Sequence, residues 1–527
     1  MNDVWHDWAL TLTVLVPLIG AVVIAVTPAA QEKAAKGLAV FFSLATFLVT
    51  IGILATYDFG KDVAQFPEHM QFDQNLSWIG AINARYHVGI DGIALPLVVL
   101  TGLLTFLCAI YSLKVIPNPG KPKALMSLMM LLEVGMMGAF ISLDLILFFI
   151  FFEIVLVPMF FMIAIWGGPN RGYASVKFFL YTLFGSAFML LAFLAIYFRA
   201  EPNTFDMLEL AKHTDAFSRG FQYVAFLGMF VGFAIKVPMW PLHTWLPDAH
   251  TEAPTIGSVL LAGILLKMGT YGFVRIAMPI LPDAAKAYAP YIGILAVIAI
   301  IYGSLCCLAQ KEIKRMIAFS SVGHMGFVML GIATMTPTGI NAALFGNIAH
   351  GVVTGMLFFI VGSVKERYHT GDIAEIGGGM LAKTPYMASL LTFVAIASLG
   401  LPGLAGFWGE MFALLAAWSP AEGLHRGLFF ALAVGGAIGT VLTAGYFLWL
   451  LQRVNLGVVP DRWKNERFSD VLGIELTAWA PLLVLILALG VYPRFIFGIT
   501  DAAVSGLLHG MGMAGDAVGH IAETGGH

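Results

Sequence analysis

Runs of about twenty apolar residues recur along the chain, separated by short polar loops, and this pattern predicts membrane-spanning helices. Fourteen runs can be marked, near 8–27, 36–57, 88–112, 124–142, 145–166, 174–198, 221–240, 255–278, 289–309, 316–333, 338–362, 385–416, 427–451 and 476–498. Two of them are interrupted. The seventh contains IKVPMWP and the twelfth SLGLPGLAGFWGEMF. A proline has no N–H, so Pro238 and Pro402 would free the carbonyls of Ala234 and Ser398 if either helix were continuous. Unsatisfied backbone at membrane depth is tolerated only inside protein or beside water. The two broken runs are five apart. A five-helix unit crosses an odd number of times, so its tandem copy is inverted. The expected fold is an all-α polytopic membrane protein of about fourteen transmembrane helices, with spans 4–8 and 9–13 as two inverted five-helix repeats, each holding a broken helix. The expected division is 1–123, three N-terminal helices; 124–278, the first repeat; 289–451, the second; and 452–527, a loop, the last helix and a tail.

Composition agrees. The chain has 527 residues, is 59% hydrophobic and 11% charged, with a mean hydropathy of +0.87; a soluble domain would carry about a quarter charged residues. The N-terminus, MNDVWHDW, lacks a cationic leader region, so 8–27 reads as a retained span. Loop 58–87 is acidic, with Asp58, Asp62, Glu68 and Asp73; loop 453–475 is basic, with Arg453, Arg462, Lys464 and Arg467. One set of alternate loops holds most of the Lys and Arg, which places that side in the cytoplasm and both termini outside it. No basic tail suggests nucleic acid. Cys108, Cys306 and Cys307 lie in apolar runs without iron–sulfur spacing. Neither G-x-G-x-x-G after a strand nor G-K-[ST] is present. No nicotinamide, flavin, nucleotide, cluster or metal is expected in this chain.

The candidate chemistry is charge inside the spans, which costs roughly 3 kcal/mol per group near the bilayer centre. Lys236 sits at the first break, too far from a span end for snorkelling to be attractive. Burial disfavours its charge and a carboxylate favours it, so a moving carboxylate would load and unload it. Glu153, alone in LILFFIFFEIVLVPMFF, is the expected partner; the plainer alternative is a static ion pair. Lys267, in LLAGILLKMGTYG, is either a second carrier or the ion partner of Glu133, itself either a lysine partner or structural. His324 and His350 are lone histidines in successive spans. Each alone reads as a core residue; together, between a lysine and Glu410, they favour a relay, and their spacing does not suit a zinc site. His243 and His250 flank the first break and read as structural or as a cytoplasmic water entrance. Arg275 is close enough to a span end to snorkel, and Asp91 has no evident role.

The stretch FAIKVPMWPLHTWLPDAHTEAPTIGSVLLAGILLKMGTYG at 233–272 closely resembles the antiporter-like proton-pumping subunits of respiratory complex I (NADH:quinone oxidoreductase), most closely their M-type branch, the mitochondrial subunit 4 type. The resemblance runs over roughly 85–455 and brings the same repeat arrangement. It implies that Glu153 is essential, that Lys267 is the connecting lysine of a polar axis, and that Glu410 is the exit group, where the L-type branch carries a lysine. The chain also lacks the long lateral helix expected of the L type. The resemblance implies a proton relay of Glu153, Lys236, Lys267, His324, His350 and Glu410, with Glu133 as a further candidate, in a bacterial plasma membrane. NADH, FMN, iron–sulfur clusters and quinone would belong to partner subunits, with L-like and N-like subunits as neighbours. The alternative is a subunit of a multi-subunit sodium/proton antiporter or of a membrane-bound hydrogenase.

Overall fold

A computed structural model describes residues 2–60, 66–67 and 70–513; Asp62 and Glu68 of the acidic loop, and residues 514–527, lie outside the described residues. The principal helices are α1 (Asn2–Val26), α2 (Glu32–Thr56), α3 (Leu95–Ser112), α4 (Pro122–Ile141), α5 (Leu145–Trp166), α6 (Arg171–Arg199), α7 (Arg219–Lys236), α8 (Thr255–Ile280), α9 (Pro282–Ala309), α10 (Ile313–Ala333), α11 (Pro337–Tyr368), α12 (Pro385–Ser398), α13 (Ala405–Trp418), α14 (Arg426–Val454), α15 (Gly473–Val491) and α16 (Arg494–Gly510). Among the described residues, 12 of these are long and apolar enough to cross a membrane. The four that fall short are α16 and the helices of the two interrupted runs, α7, α12 and α13.

Burial sorts the helices. In α8, α10 and α11 nearly every residue is buried, so these form the centre. At 32 residues, α11 is about 48 Å long. On α6 the exposed residues include Leu180, Phe184, Leu191 and Phe198, and on α14 Val434, Val441 and Leu448. Spacings of four and seven place each set along one apolar stripe, as lipid contact requires. Inside the spans, hydroxyls fold back onto their own helix: Thr101 donates to the Leu97 carbonyl at 2.7 Å and Ser112 to that of Cys108 at 2.8 Å. Such bonds satisfy a polar group where no water is available.

Two helix starts are built alike. Asp144 caps α5, its carboxylate accepting from the Ile146 and Leu147 amides, and pairs through the backbone with the segment around Asp206: Leu145 N–H to Phe205 at 2.9 Å and Met207 N–H to Leu143 at 2.8 Å. Glu312 caps α10 by accepting from the Arg315 amide. It pairs in the same way with the segment around Asp372: Ile313 N–H to Gly371 at 2.9 Å and Ile373 N–H to Lys311 at 2.7 Å.

Three features differ from the sequence expectation. First, the acidic loop contains an antiparallel hairpin, β1 (Gln71–Ile79) and β2 (Ala84–Ile90), so the third span begins at Leu95 rather than 88. His87 of β2 anchors the hairpin, with Nδ1 2.6 Å from Asp206 and Nε2 3.2 Å from Asp73. Burial opposes its charged form, but the two carboxylates outweigh burial and push its pKa up to about 9. Second, Arg275 does not snorkel. It is fully buried and paired with Asp91. Asp91 also accepts from the Ile93 and Ala94 amides at 3.0 and 3.1 Å, ahead of α3. Third, the tail begins with a helix, α16, whose Ile496, Thr500, Ala503, Val504 and Leu507 turn inward. Thr500 donates to Asn341 at 2.5 Å and Asn341 donates to Asp501 at 3.1 Å.

At the other end of α11, Arg367 grips Glu475 at the start of α15 with two bonds, 2.9 and 2.7 Å, and both side chains are nearly buried. Removing one partner of such a pair leaves a buried charge alone, costing about 3–5 kcal/mol, whereas replacing both by apolar groups is often neutral. Arg367→Met is therefore expected to lower the thermal stability of the detergent-extracted protein, and Arg367→Met with Glu475→Leu to restore most of it. Equal loss in single and double variants would show that the pair itself is not what matters.

Candidate functional site

The site starts from how the two interrupted helices satisfy their backbone. At the first break the Ala234 carbonyl, expected to be free, accepts from the Met239 amide at 2.9 Å. The Ile235 carbonyl accepts the indole N–H of Trp245 at 2.9 Å. Trp245 is fully buried, with its ring 5.4 Å from that of Phe178. The helix therefore stops at Lys236, and a short helix, Trp245–Glu252, leads to α8. The second break lies between α12 and α13. Gly400 and Gly403 take φ of 86° and 90°, conformations open to glycine at no steric cost.

Helix α8 is irregular. Two wide π-helical turns, Leu261–Leu265 and Phe273–Ala277, interrupt it; such turns are frequent at functional sites. The Lys267 ammonium follows the first and donates to the Ala262 carbonyl within it.

The same ammonium reaches Nδ1 of His350 on α11 at 2.6 Å. The His350 and His324 rings lie 5.8 Å apart, edge to face. His324 on α10 places Nδ1 2.7 Å from Oε1 of Glu410 on α13, and Nε2 3.1 Å from the Ser398 hydroxyl at the second break. A cavity of about 30 Å³ is lined by His324, His350, Ser398 and Glu410 together with small residues such as Gly346 and Gly409. That is room for a water molecule with several polar partners. His350 Nε2 and Glu410 Oε2 are buried and have no partner among the described residues, so a water here has groups to bind. Lys267, His350, His324 and Glu410 thus form one nearly continuous polar file across four helices. Each of these groups has a nitrogen or oxygen that can both gain and lose a proton.

The other candidates stand apart. The Lys236 ammonium is buried and lies 4.5 Å from the centre of the Phe152 ring. Among the described residues no carboxylate oxygen comes within 4.0 Å of it, so the expected pairing with Glu153 is not a direct contact. Glu153, one residue on, is half-buried. Glu133 is fully buried, and neither of its oxygens has a partner among the described residues; the Lys267–Glu133 ion pair is not formed, and Lys267 binds His350 instead. His243 packs edge-on to Tyr302, with ring centres 5.1 Å apart. Sequence reasoning missed Ser398 and Phe152. Each adjoins a feature it did find: Ser398 the Pro402 break, Phe152 the buried Glu153.

Residues 142–439 match the family model of the NADH:quinone oxidoreductase/Mrp antiporter transmembrane segment. The chain is 42% identical over 504 residues to NADH-quinone oxidoreductase subunit M of Rickettsia bellii (strain RML369-C), covering 95% of this chain and 98% of that one. It is 39% identical over 516 residues to subunit M of Rhodobacter capsulatus, covering 95% and 96%. Its structure is similar to a chain of respiratory complex I from Thermus thermophilus with bound NADH, with a TM-score of 0.83 at 27% identity, covering 96% of this chain and all of that one. A family match over more than half of the chain, and relatives aligned over nearly all of it, establish that this chain belongs to the NADH:quinone oxidoreductase/Mrp antiporter transmembrane family.

Proposed function

We propose that this chain is a proton-translocating membrane subunit of an NADH:quinone oxidoreductase, of the subunit M type, and that the file from Lys267 to Glu410 is its proton path. The observation that carries the reading is the unbroken contact of Lys267 with His350 and of His324 with Glu410, bridged by a cavity of one water's size. The Lys267 ammonium gives a proton to His350 Nδ1, and His350 releases one from Nε2 to water in the cavity. His324 gains a proton at Nε2, where Ser398 also binds, and passes its Nδ1 proton to Glu410 Oε1. Charge at Lys236 drives this movement, because two ammonium groups on neighbouring helices repel strongly where the dielectric is low. Phe152 holds the Lys236 ammonium by a cation–π contact, worth up to about 2 kcal/mol when desolvated. A small shift that brings Glu153 to Lys236 would replace it with an ion pair and draw the charge away from Lys267.

The wider reading follows. The two broken helices complete fourteen spans with the 12 unbroken ones. The matching cap-and-bridge pairs, Asp144 with Asp206 and Glu312 with Asp372, support two repeats, 124–278 and 289–451, between a segment at 1–123 and one at 452–527. The end bearing Arg367 and the basic loops faces the cytoplasm of a bacterial cell, with both termini on the periplasmic side. NADH oxidation and quinone reduction take place in partner subunits carrying FMN and iron–sulfur clusters, and L-like and N-like subunits flank this one.

In native membranes, Glu153→Gln and Lys236→Ala are expected to assemble on a native gel while NADH:quinone turnover and proton uptake into vesicles fall together, by about tenfold or more. Assembled variants with both activities unchanged would leave the chain a passive structural element. Loss of sodium/proton exchange instead, in membranes without NADH-linked activity, would assign the chain to an exchanger. A second expectation concerns helix spacing. A Cβ on Gly409 would meet the Cα of Gly346 at 2.7 Å, whereas one on Gly445 meets nothing. Gly409→Ala should push α13 from α11, lengthen the His324–Glu410 contact and lower proton uptake, and Gly445→Ala should change nothing. Equal uptake in the two would mean that this spacing does not matter.

A further inference from the structure

At the hairpin end of the bundle a cavity of about 270 Å³ opens between β2, the turn after α6 and the short helix Met207–Lys212. Its lining includes Arg85 of β2, Ala200 and Glu201 just past α6, Glu209 of the short helix, His213 at its end, and Phe217 ahead of α7. None of these residues belongs to the proton path. Small-molecule sites run to roughly 300–1,000 Å³, so this volume suits a polar headgroup rather than a whole lipid.

The lining carries charges of both signs, and two of them are uncommitted. Asp206 is engaged: its carboxylate accepts from the Leu208 and Glu209 amides and lies 2.6 Å from Nδ1 of His87. Glu209 meets Lys212 at 3.3 Å. Arg85 donates from Nε to Asn75 and from its amide to Asp144, while its two terminal nitrogens have no hydrogen-bond or ion-pair partner among the described residues. The Glu201 carboxylate has no cation within 4.0 Å among the described residues either. An arginine and a glutamate thus line one cavity without pairing with each other. A guanidinium suits two-point binding of a phosphate, and a carboxylate suits an ammonium. A ligand of net negative charge would face Glu201, Asp206 and Glu209, and a plain cation would leave Arg85 alone. A zwitterion satisfies both.

The position of the cavity supplies the rest. Helix α6 has 29 residues and is about 44 Å long, more than the roughly 30 Å of bilayer hydrocarbon. Its exposed apolar residues Leu180, Phe184, Leu191 and Phe198 run to within two residues of Ala200. Arg199 closes the helix, with its guanidinium 5.9 Å from the centre of the Phe221 ring. A basic residue at the end of an apolar span sits at headgroup level, so the cavity begins where a lipid's polar part lies. We propose that it binds the headgroup of a phospholipid with a primary ammonium, phosphatidylethanolamine. The phosphate meets Arg85 and His213, the ammonium meets Glu201, and the acyl chains follow the apolar stripe of α6. A headgroup held in this way ties β2 to the connection between α6 and α7.

The test uses the chain in its native complex, reconstituted into phosphatidylglycerol nanodiscs. The probe is a phosphatidylethanolamine with a photoactivatable diazirine at the top of one acyl chain, which leaves the headgroup unaltered. After illumination, labelled peptides are mapped by mass spectrometry in the wild type, Arg85→Gln and Glu201→Gln. The expected result is labelling of the segment from Phe198 to Phe217 that unlabelled phosphatidylethanolamine competes away, and that Arg85→Gln lowers by about tenfold. Glu201→Gln should lower it as well, and a phosphatidylglycerol probe should label this segment no more than the rest of α6. Equal labelling by the two lipid probes would overturn the headgroup site, as would labelling that neither substitution changes or no labelling of the segment at all. Competition by free glycerophosphoethanolamine as effective as by the lipid would make the ligand a soluble zwitterion and overturn the lipid assignment. If Arg85→Gln fails to assemble, Glu201→Gln, in an exposed turn, decides.

Discussion

The Lys267 ammonium is the constraint to which the rest of the interior answers. A buried ammonium has three donors and is costly to leave unsolvated, so the protein brings acceptors to it. One comes from its own helix, where the wide turn at Leu261–Leu265 turns the Ala262 carbonyl toward it. The other is His350, from the longest helix in the bundle. Both acceptors are neutral, so the charge is solvated without being neutralised. An ammonium held in this way keeps its proton available, whereas a carboxylate at the same place would fix it as a static ion pair. Glu133 is also fully buried, its carboxylate oxygens have no partner among the described residues, and it does not meet Lys267.

From that requirement the second half of the site follows. In the proposed path His350 passes on what it receives, and the close approach of α13 to α11 brings Glu410, with His324, to the cavity that His350 also lines. The break between α12 and α13 contributes the Ser398 hydroxyl to His324. The break after α7 works differently. Its loose carbonyls are satisfied by Met239 and Trp245, and Lys236 ends its helix buried, with its ammonium over the Phe152 ring. One break builds hydrogen-bonded contacts. The other leaves Lys236 without a direct carboxylate contact among the described residues, and in the proposed function its charge acts at a distance.

Much of this was legible in the sequence because membrane segments are written locally. Twenty apolar residues make a span, and a proline or a lysine within one stands out. The breaks at Pro238 and Pro402, and every member of the file from Lys267 to Glu410, were found in that way. Pairings were not legible, since Lys267 and His350 are 83 residues apart and His324 and Glu410 are 86 apart. The sequence suggested Glu153 for Lys236 and, as one of two alternatives, Glu133 for Lys267, and in neither case do the side chains meet. Arg275 looked free to snorkel because its distance from a span end was visible and its partner Asp91 was not. The β1–β2 hairpin was hidden in a loop whose Asp, Asn and Gln residues masked the strand alternation. The wide turns in α8 at Leu261–Leu265 and Phe273–Ala277 were not read from the sequence.

The central claim is that protons cross this chain along Lys267, His350, His324 and Glu410, and the most direct test cuts the file at its middle. His350→Leu removes the group that, among the described residues, touches Lys267 on one side and lines the shared cavity on the other. Protons translocated per NADH oxidised should be measured in native membranes, with NADH:quinone turnover followed with and without an uncoupler and assembly checked on a native gel. The account predicts an assembled complex whose turnover and pumping both collapse and are not restored by the uncoupler. An assembled His350→Leu complex that pumps at the normal ratio and rate would contradict it.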